Sequence, residues 1–329
     1  MPTARLGSDR QLPLVRAACG DTAGVVLRSG FVCFVGRPNA GKSTLTNALV
    51  GEKVAITSDR PQTTRHTVRG IVHRPGGQLV LVDTPGLHRP RTLLGQRLND
   101  LVAGTLSEVD VVAMCFPADE KLGPGDRFIA TQIAALPPGV TRVAVLTKTD
   151  KVKPDRVVEA LATVAALGTE LGMEWAEIVP VSAVRGEQVG LLGDLLLARL
   201  PEGPALYPEG ETTDAPEELQ IAELVREAAL EGVRDELPHS LAVVVDEIVE
   251  REDRPVDSPM LDVRCTVYVE RDSQKGIVLG HQGQRLRDVG IKARAGIEAL
   301  LGQRVYLDLH VKVAKDWQRD PRQLNKLGF

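Results

Sequence analysis

The hydrophobic pattern of this 329-residue chain changes character about two thirds of the way along. Before residue 200, unbroken apolar runs at 31–35, 109–116, 142–146 and 177–181 alternate with stretches of helical spacing such as 94–106 and 125–136. Unbroken runs read as strands buried on both faces, and their alternation with helices predicts a mostly parallel sheet covered on both sides. Two more strand-like runs, 67–72 and 78–82, are joined by Arg74-Pro75-Gly76-Gly77, a hairpin signal that makes the sheet mixed. After residue 217 the pattern becomes amphipathic. Ile221, Leu224, Val225, Ala228 and Val233 mark a helix with one apolar face, and 241–249 reads as a strand. Leu261, Val263, Cys265, Val267 and Val269 alternate with polar residues in a half-buried strand. Past an apolar turn at 277–279, Leu286, Val289, Ala293, Ile297 and Leu300 form the core face of another helix. In a last strand Val305, Leu307, Leu309, Val311 and Val313 point inward, and Tyr306, Asp308, His310 and Lys312 outward. The second region therefore has the order α-β-β-α-α-β.

Prolines and glycines at 201–210 interrupt all periodicity between these regions. The expected division is a poorly ordered N-terminal extension (1–28), an α/β domain (29–200), a linker (201–216), and an α+β domain with a C-terminal tail (217–329). No run approaches the roughly 20 apolar residues of a membrane helix, and the N-terminus lacks a signal-peptide core, so a cytoplasmic location is expected. Cys19, Cys33, Cys115 and Cys265 are far apart with no CxxC pair, which argues against a disulfide framework or a cysteine metal site. The formal net charge of −4 hides a gradient: residues 274–329 carry eleven Lys or Arg against five Asp or Glu, whereas 202–262 is acidic. A basic end on an acidic protein points to a polyanionic partner.

The run at 31–35 leads directly into Gly36, Arg37, Pro38, Asn39, Ala40, Gly41, Lys42 and Ser43, followed by Thr44 and a helical face of Leu45, Ala48 and Leu49. Strand, glycine loop and helix in that order form a P-loop, in which backbone N–H groups and the helix dipole receive phosphates. Lys42 would reach the β and γ phosphates and Ser43 would hold Mg²⁺. A polar stretch at 57–66 follows, suited to a switch loop whose threonine gives the metal a second hydroxyl; Thr64 is the choice and Thr63 the alternative. Asp83-Thr84-Pro85-Gly86 ends an apolar strand, where a carboxylate can bind Mg²⁺ through water and Gly86 can turn its N–H toward the γ-phosphate. The next residue is Leu87, which can neither donate nor accept a hydrogen bond. Thr147-Lys148-Thr149-Asp150 follows another strand. Asp150 can accept both the N1–H and the N2 amine of guanine, and adenine offers neither. Ser182, Ala183 and Val184 end the strand at 177–181, where a small residue lets a backbone N–H reach guanine O6.

In the second region Gly280-His281-Gln282-Gly283 lies between two helices, with Ile277 before it and Arg285, Arg287, Lys292 and Arg294 after it. Gly-x-x-Gly alone is weak, but in this element order it resembles the loop of a KH domain, which clamps about four nucleotides of single-stranded RNA.

From about residue 30 onward the chain resembles the Era GTPase family. The resemblance rests on GRPNAGKS at 36–43, PQTTRH at 61–66, DTPG at 83–86 followed by Leu87, TKTD at 147–150, SAV at 182–184, and the terminal segment through KVAKDW and LGF. It implies an α/β P-loop GTPase domain followed by an α+β type II KH domain. It also implies GTP or GDP with Mg²⁺ as ligands, and slow intrinsic hydrolysis of GTP to GDP and phosphate. Family members bind 16S ribosomal RNA near its 3′ end and the 30S subunit during small-subunit maturation, and are cytoplasmic with some peripheral inner-membrane association; a monomer is expected. Switch I would be Gln62, Thr63, Thr64, Arg65 and His66, the metal set Ser43, Thr64 and Asp83, and the RNA set Ile277, Gly280, His281, Gln282, Gly283, Arg285, Arg287 and Lys292. One departure stands out: Thr147 replaces the asparagine of the usual Asn-Lys-x-Asp, removing the carboxamide that braces the P-loop. In related GTPases without the glutamine, an asparagine at the place of Asn39 holds a potassium ion beside the phosphates. Two other readings stay open at this point, a P-loop ATPase or kinase with a basic tail, and an RNA-binding protein with a catalytically silent nucleotide domain.

Overall fold

The computed structural model describes residues 27–58, 63–87, 92–233, 237–251 and 259–329. Residues 1–26 of the expected extension, Gln62 of the switch loop and residues 88–90 beyond Leu87 lie outside them.

The first region is a six-stranded sheet in the order β2-β3-β1-β4-β5-β6. Its strands are β1 (Arg28–Val35), β2 (Val68–Arg74), β3 (Gly77–Asp83), β4 (Val111–Pro117), β5 (Thr141–Thr147) and β6 (Glu177–Pro180). Only β2 runs antiparallel, pairing Arg74 with Gly77 across the hairpin turn; β1, β3, β4, β5 and β6 are parallel. Helix α1 (Lys42–Val50) follows β1, and α2 (Leu93–Leu106), α3 (Pro124–Ala134), α4 (Pro154–Glu170) and α5 (Val189–Ala198) complete the two outer layers. Leu45 and Leu49 of α1 pack with Leu192 and Leu196 of α5 on one face of the sheet. Val102 of α2, Ile129 and Ile133 of α3, and Val164 and Leu167 of α4 cover the other. Connections on the two sides of β1 thus go to opposite faces, which opens a crevice at the carboxyl ends of the strands, where ligands of such sheets bind. Cys33 and Cys115 are buried in β1 and β4, where burial pushes each thiol up to about 12.

The second region contains α6 (Glu217–Leu230), α7 (Leu237–Ser240), β7 (Ala242–Glu250), β8 (Met260–Val269), α8 (Asp272–Leu279), α9 (Gln284–Leu301), β9 (Arg304–Val313) and α10 (Pro321–Lys326). Its sheet runs β7-β8-β9, with β7 antiparallel and β9 parallel to β8. Ile221 and Val225 of α6 and Val289, Ala293 and Ile297 of α9 meet Val263, Cys265 and Val267 of β8 in its core.

The two regions are packed together. The expected linker runs along the edge strand β2: the Ile71 N–H donates to the Thr212 carbonyl at 2.8 Å, and Arg69 pairs with Asp214 at 2.8 Å. An edge strand covered in this way has fewer open hydrogen-bonding groups. The C-terminal segment folds into the junction, where Trp317, Leu324 and Leu327 form a buried cluster with Leu94 and Leu98 of α2. Trp317 is fully buried, and its indole N–H donates to the Ser240 carbonyl at 3.0 Å.

Candidate nucleotide site and nucleic-acid groove

The loop between β1 and α1 needs left-handed backbone at Asn39 and Gly41, with φ of 63° and 90°. At Gly36 a Cβ would stand 2.8 Å from the Cys115 carbonyl oxygen, so only glycine lets the loop leave the sheet there. The buried Lys42 lies under this turn and its ammonium donates to the carbonyls of Gly36 and Arg37, at 3.3 and 3.1 Å. Arg37 turns away and pairs with Asp126 at 2.8 Å and Glu120 at 3.1 Å, so its side chain supports the loop from outside.

Three predicted metal-site residues, far apart in sequence, converge. The Ser43 hydroxyl donates to Asp83 Oδ2 at 2.7 Å and lies 3.0 Å from the Thr64 hydroxyl, which reaches the same oxygen at 3.3 Å. Of the two threonines considered, Thr64 is the one whose hydroxyl joins this group; the Thr63 carbonyl faces Arg226 instead. Asp83 is fully buried and its Oδ1 has no hydrogen-bond partner. Burial raises the Asp83 carboxyl and lowers the Lys42 ammonium, so each charge favours a partner of opposite sign. Two hydroxyls and a carboxylate with an orphaned oxygen form a hard donor set that fits Mg²⁺. Gly86 packs so closely on the P-loop that a Cβ would stand 2.9 Å from the Pro38 nitrogen. The side chain of Leu87 packs against the apolar cluster of β4, α2 and α3, which leaves no polar group at that position to orient water.

The residues predicted to read the base sit at the far end of the same cavity. Its volume is about 230 Å³, and its lining runs from Asn39, Lys42, Ser43 and Thr44 through Thr64 and Gly86 to Thr147, Lys148, Asp150, Ala183 and Val184. Lys148 adopts left-handed backbone, with φ of 58°, which turns the chain at the strand end. The buried Ser182 hydroxyl donates to Asp150 Oδ1 at 2.7 Å and accepts the Arg185 N–H at 3.2 Å, so it orients the carboxylate. Thr147 donates to the Ala40 carbonyl at 2.7 Å, so the hydroxyl braces the P-loop in place of the missing carboxamide. Ile56 and Lys151 also line the cavity. Sequence reasoning did not single them out, and only their neighbours' motifs could have drawn attention to them.

In the second region, α8 and α9 meet at Gly280-His281-Gln282-Gly283. Gly280 and Gly283 have φ of 71° and 77°, and Gln282 is also left-handed at 49°. His281 and Gln282 are exposed at the tip. Beside them lies a groove of about 290 Å³ lined by Gly283, Leu286, Arg287, Gly290, Ile291, Arg294, Tyr306, Leu307 and Leu309. The predicted basic residues divide here. Arg287 lines the groove, but Arg285 donates to the carbonyls of Ala229 and Glu231 at 3.2 and 2.8 Å, and Lys292 pairs with Glu231. Ile277 is exposed on α8 outside that lining. Ile291 and Tyr306, 55% and 52% exposed, were missing from the predicted set; large apolar side chains left in water beside a glycine loop are the signal that could have found them.

Comparison with known proteins fits both halves. A family described as 50S ribosome-binding GTPase matches residues 31–148, and the KH domain family matches residues 236–318. GTPase Era of Nocardioides sp. is 70% identical over 302 residues, covering 92% of this chain and 96% of its own length. GTPase Era of Streptomyces coelicolor is 68% identical over 309 residues, covering 94% and 97%. The chain belongs to the Era family of GTPases. Among solved structures, Era in complex with MgGDPNP and nucleotides 1506-1542 of 16S ribosomal RNA is similar, with a TM-score of 0.86, 37% identity, and coverage of 92% of this chain and 99% of that one. A variant of Aquifex aeolicus Era bound to GDP.AlF4- has a TM-score of 0.84 at 36% identity, with the same coverage. The family membership agrees with the P-loop domain followed by a KH domain expected from the sequence, and it removes the ATPase or kinase reading.

Proposed function

We propose that this protein is a GTP-hydrolysing switch that binds 16S ribosomal RNA near its 3′ end and acts on the 30S subunit during small-subunit maturation. The observation that carries this is that Ser43 and Thr64, both bonded to the buried Asp83 below the P-loop, line one cavity with Asp150, on a chain that also presents a basic KH groove.

In this reading the P-loop N–H groups and Lys42 receive the β and γ phosphates. Ser43 and Thr64 would hold Mg²⁺ directly and Asp83 through water, and Mg²⁺ when bound would neutralise charge on the phosphoryl oxygens. Asp150, oriented by Ser182, reads the guanine edge. Leu87 gives the attacking water no hydrogen bond, so intrinsic turnover is slow. Asn39 would hold potassium beside the phosphates; equal turnover in sodium and potassium buffers would remove that role. Arg287 and Arg294 would meet RNA phosphates beside the glycine loop, and Ile291 and Tyr306 would support unstacked bases. Among the described residues no helix is long and apolar enough to cross a membrane. The location in this reading is that implied by the family, a cytoplasmic monomer with peripheral inner-membrane association.

The test compares GTP and ATP turnover with and without 30S subunits. GTP-selective turnover that rises with the subunit supports the reading; absence of GTP turnover under both conditions overturns it.

A further inference from the structure

Two side chains of the second region, Glu227 and Arg226, hold the flanks of the switch loop. Glu227, near the end of α6, accepts the Thr57 N–H at 2.9 Å and the Thr57 hydroxyl at 3.2 Å on one carboxylate oxygen, and pairs with Lys53 through the other. Arg226, 2% exposed and held by Glu223 at 2.8 Å, donates to the Thr63 carbonyl. From the switch side, the Arg65 guanidinium donates to the carbonyls of Leu241 and His239 at 2.7 and 2.8 Å and lies 5.6 Å from the Trp317 ring centroid. Thr64, whose hydroxyl completes the metal group, therefore sits between two residues anchored on the KH side. Charged groups bonded to backbone make such anchors strong.

The same end of α6 is also held from the other direction. Arg285 donates to the Ala229 and Glu231 carbonyls, and Lys292 pairs with the Glu231 carboxylate; both come from α9, the helix opened by the Gly280–Gly283 loop. One turn of helix thus touches the switch loop through Glu227 and the RNA-facing helix through Ala229 and Glu231.

We propose that Arg226 and Glu227 are positioning residues for the GTP-bound state, and that the C-terminal turn of α6 is the joint through which the nucleotide site and the KH groove influence each other. The inference rests on the switch reading above. GDP has no γ-phosphate and places no demand on Thr64, so the anchors should favour GTP selectively. Linkage then requires RNA and GTP to change each other's affinity by the same factor.

The test uses the full chain with Glu227→Ala and Glu227→Gln. Binding of GDPNP, of GDP, and of a 3′-terminal 16S RNA fragment in the presence of each nucleotide is measured, with thermal melting to confirm folding. Glu227→Ala should weaken GDPNP about tenfold and leave GDP unchanged, which is the size expected for a lost charge-assisted hydrogen bond. RNA affinity with GDP should stay the same, while the difference between GDPNP and GDP states shrinks toward none. Glu227→Gln, which retains an acceptor for the Thr57 N–H, should recover most of both effects. Equal weakening of GDPNP and GDP would assign Glu227 a purely structural role, and a nucleotide effect on RNA that survives Glu227→Ala would remove the joint; either outcome overturns the inference and leaves the switch reading intact. RNA affinity in the unaltered protein that is the same with GDPNP and GDP overturns the switch reading itself, and the joint with it.

Discussion

The P-loop and the KH loop are built alike, each a glycine turn with left-handed backbone that opens a helix, and they differ in where their cations go. Lys42 is buried inside the turn it follows, facing the space a phosphate would fill. Arg285 leaves its loop and binds the end of another helix. The difference follows from ligand shape. A nucleoside triphosphate is small and enclosed, so every group that binds it must lie within a few ångströms and point inward. A nucleic-acid strand lies along an open surface, where a basic residue can serve the ligand or the fold, and only packing separates the two uses.

Four experiments would break or sharpen that contrast. The largest effect should come from Asp150→Asn, because a site built to accept two donors leaves them unpaired when the acceptor pattern inverts: GTP affinity should fall by about 10⁴ and xanthosine triphosphate should become the better ligand in a direct titration. Next is Trp317→Ala at the junction, where loss of a fully buried indole should cost about 3–5 kcal/mol in urea unfolding. An unchanged midpoint would mean that the C-terminal segment does not stabilise the junction. Third, Arg287→Ala should weaken RNA roughly tenfold and reduce the salt dependence of binding by about one charge, whereas Arg285→Ala should leave the salt slope nearly unchanged. If both alter the slope equally, the division of the basic residues is wrong. The smallest is Thr147→Val, which deletes the hydroxyl brace on Ala40 and should weaken GTP and GDP alike by about 1 kcal/mol, with Thr147→Asn restoring the loss.

The fold was largely readable because burial imposes periodicity. Runs such as 31–35 and 142–146 appear as β1 and β5, and the alternating residues of 261–269 appear as β8. The candidate nucleotide site was readable for a related reason: phosphate chemistry demands glycines, a lysine and a hydroxyl at fixed spacing, and Gly36 to Ser43 meet that demand in eight consecutive positions. Tyr306 and Ile291 were less readable, since an outward apolar residue has the same local pattern whether it serves a groove or merely faces water. The same applies to residues 201–216, whose prolines and glycines say that they are irregular but not that they lie against β2.

Local chemistry therefore made legible the element types, the P-loop and the acid proposed to read the purine, since each depends on neighbours within a few residues. Folding in three dimensions settled which threonine joins Ser43 and Asp83, that Thr147 can brace Ala40, and that Arg285 and Lys292 face α6. Those outcomes depend on contacts between residues dozens of positions apart, and a contact of that kind is fixed by the packing of whole elements, which no short stretch of chain encodes.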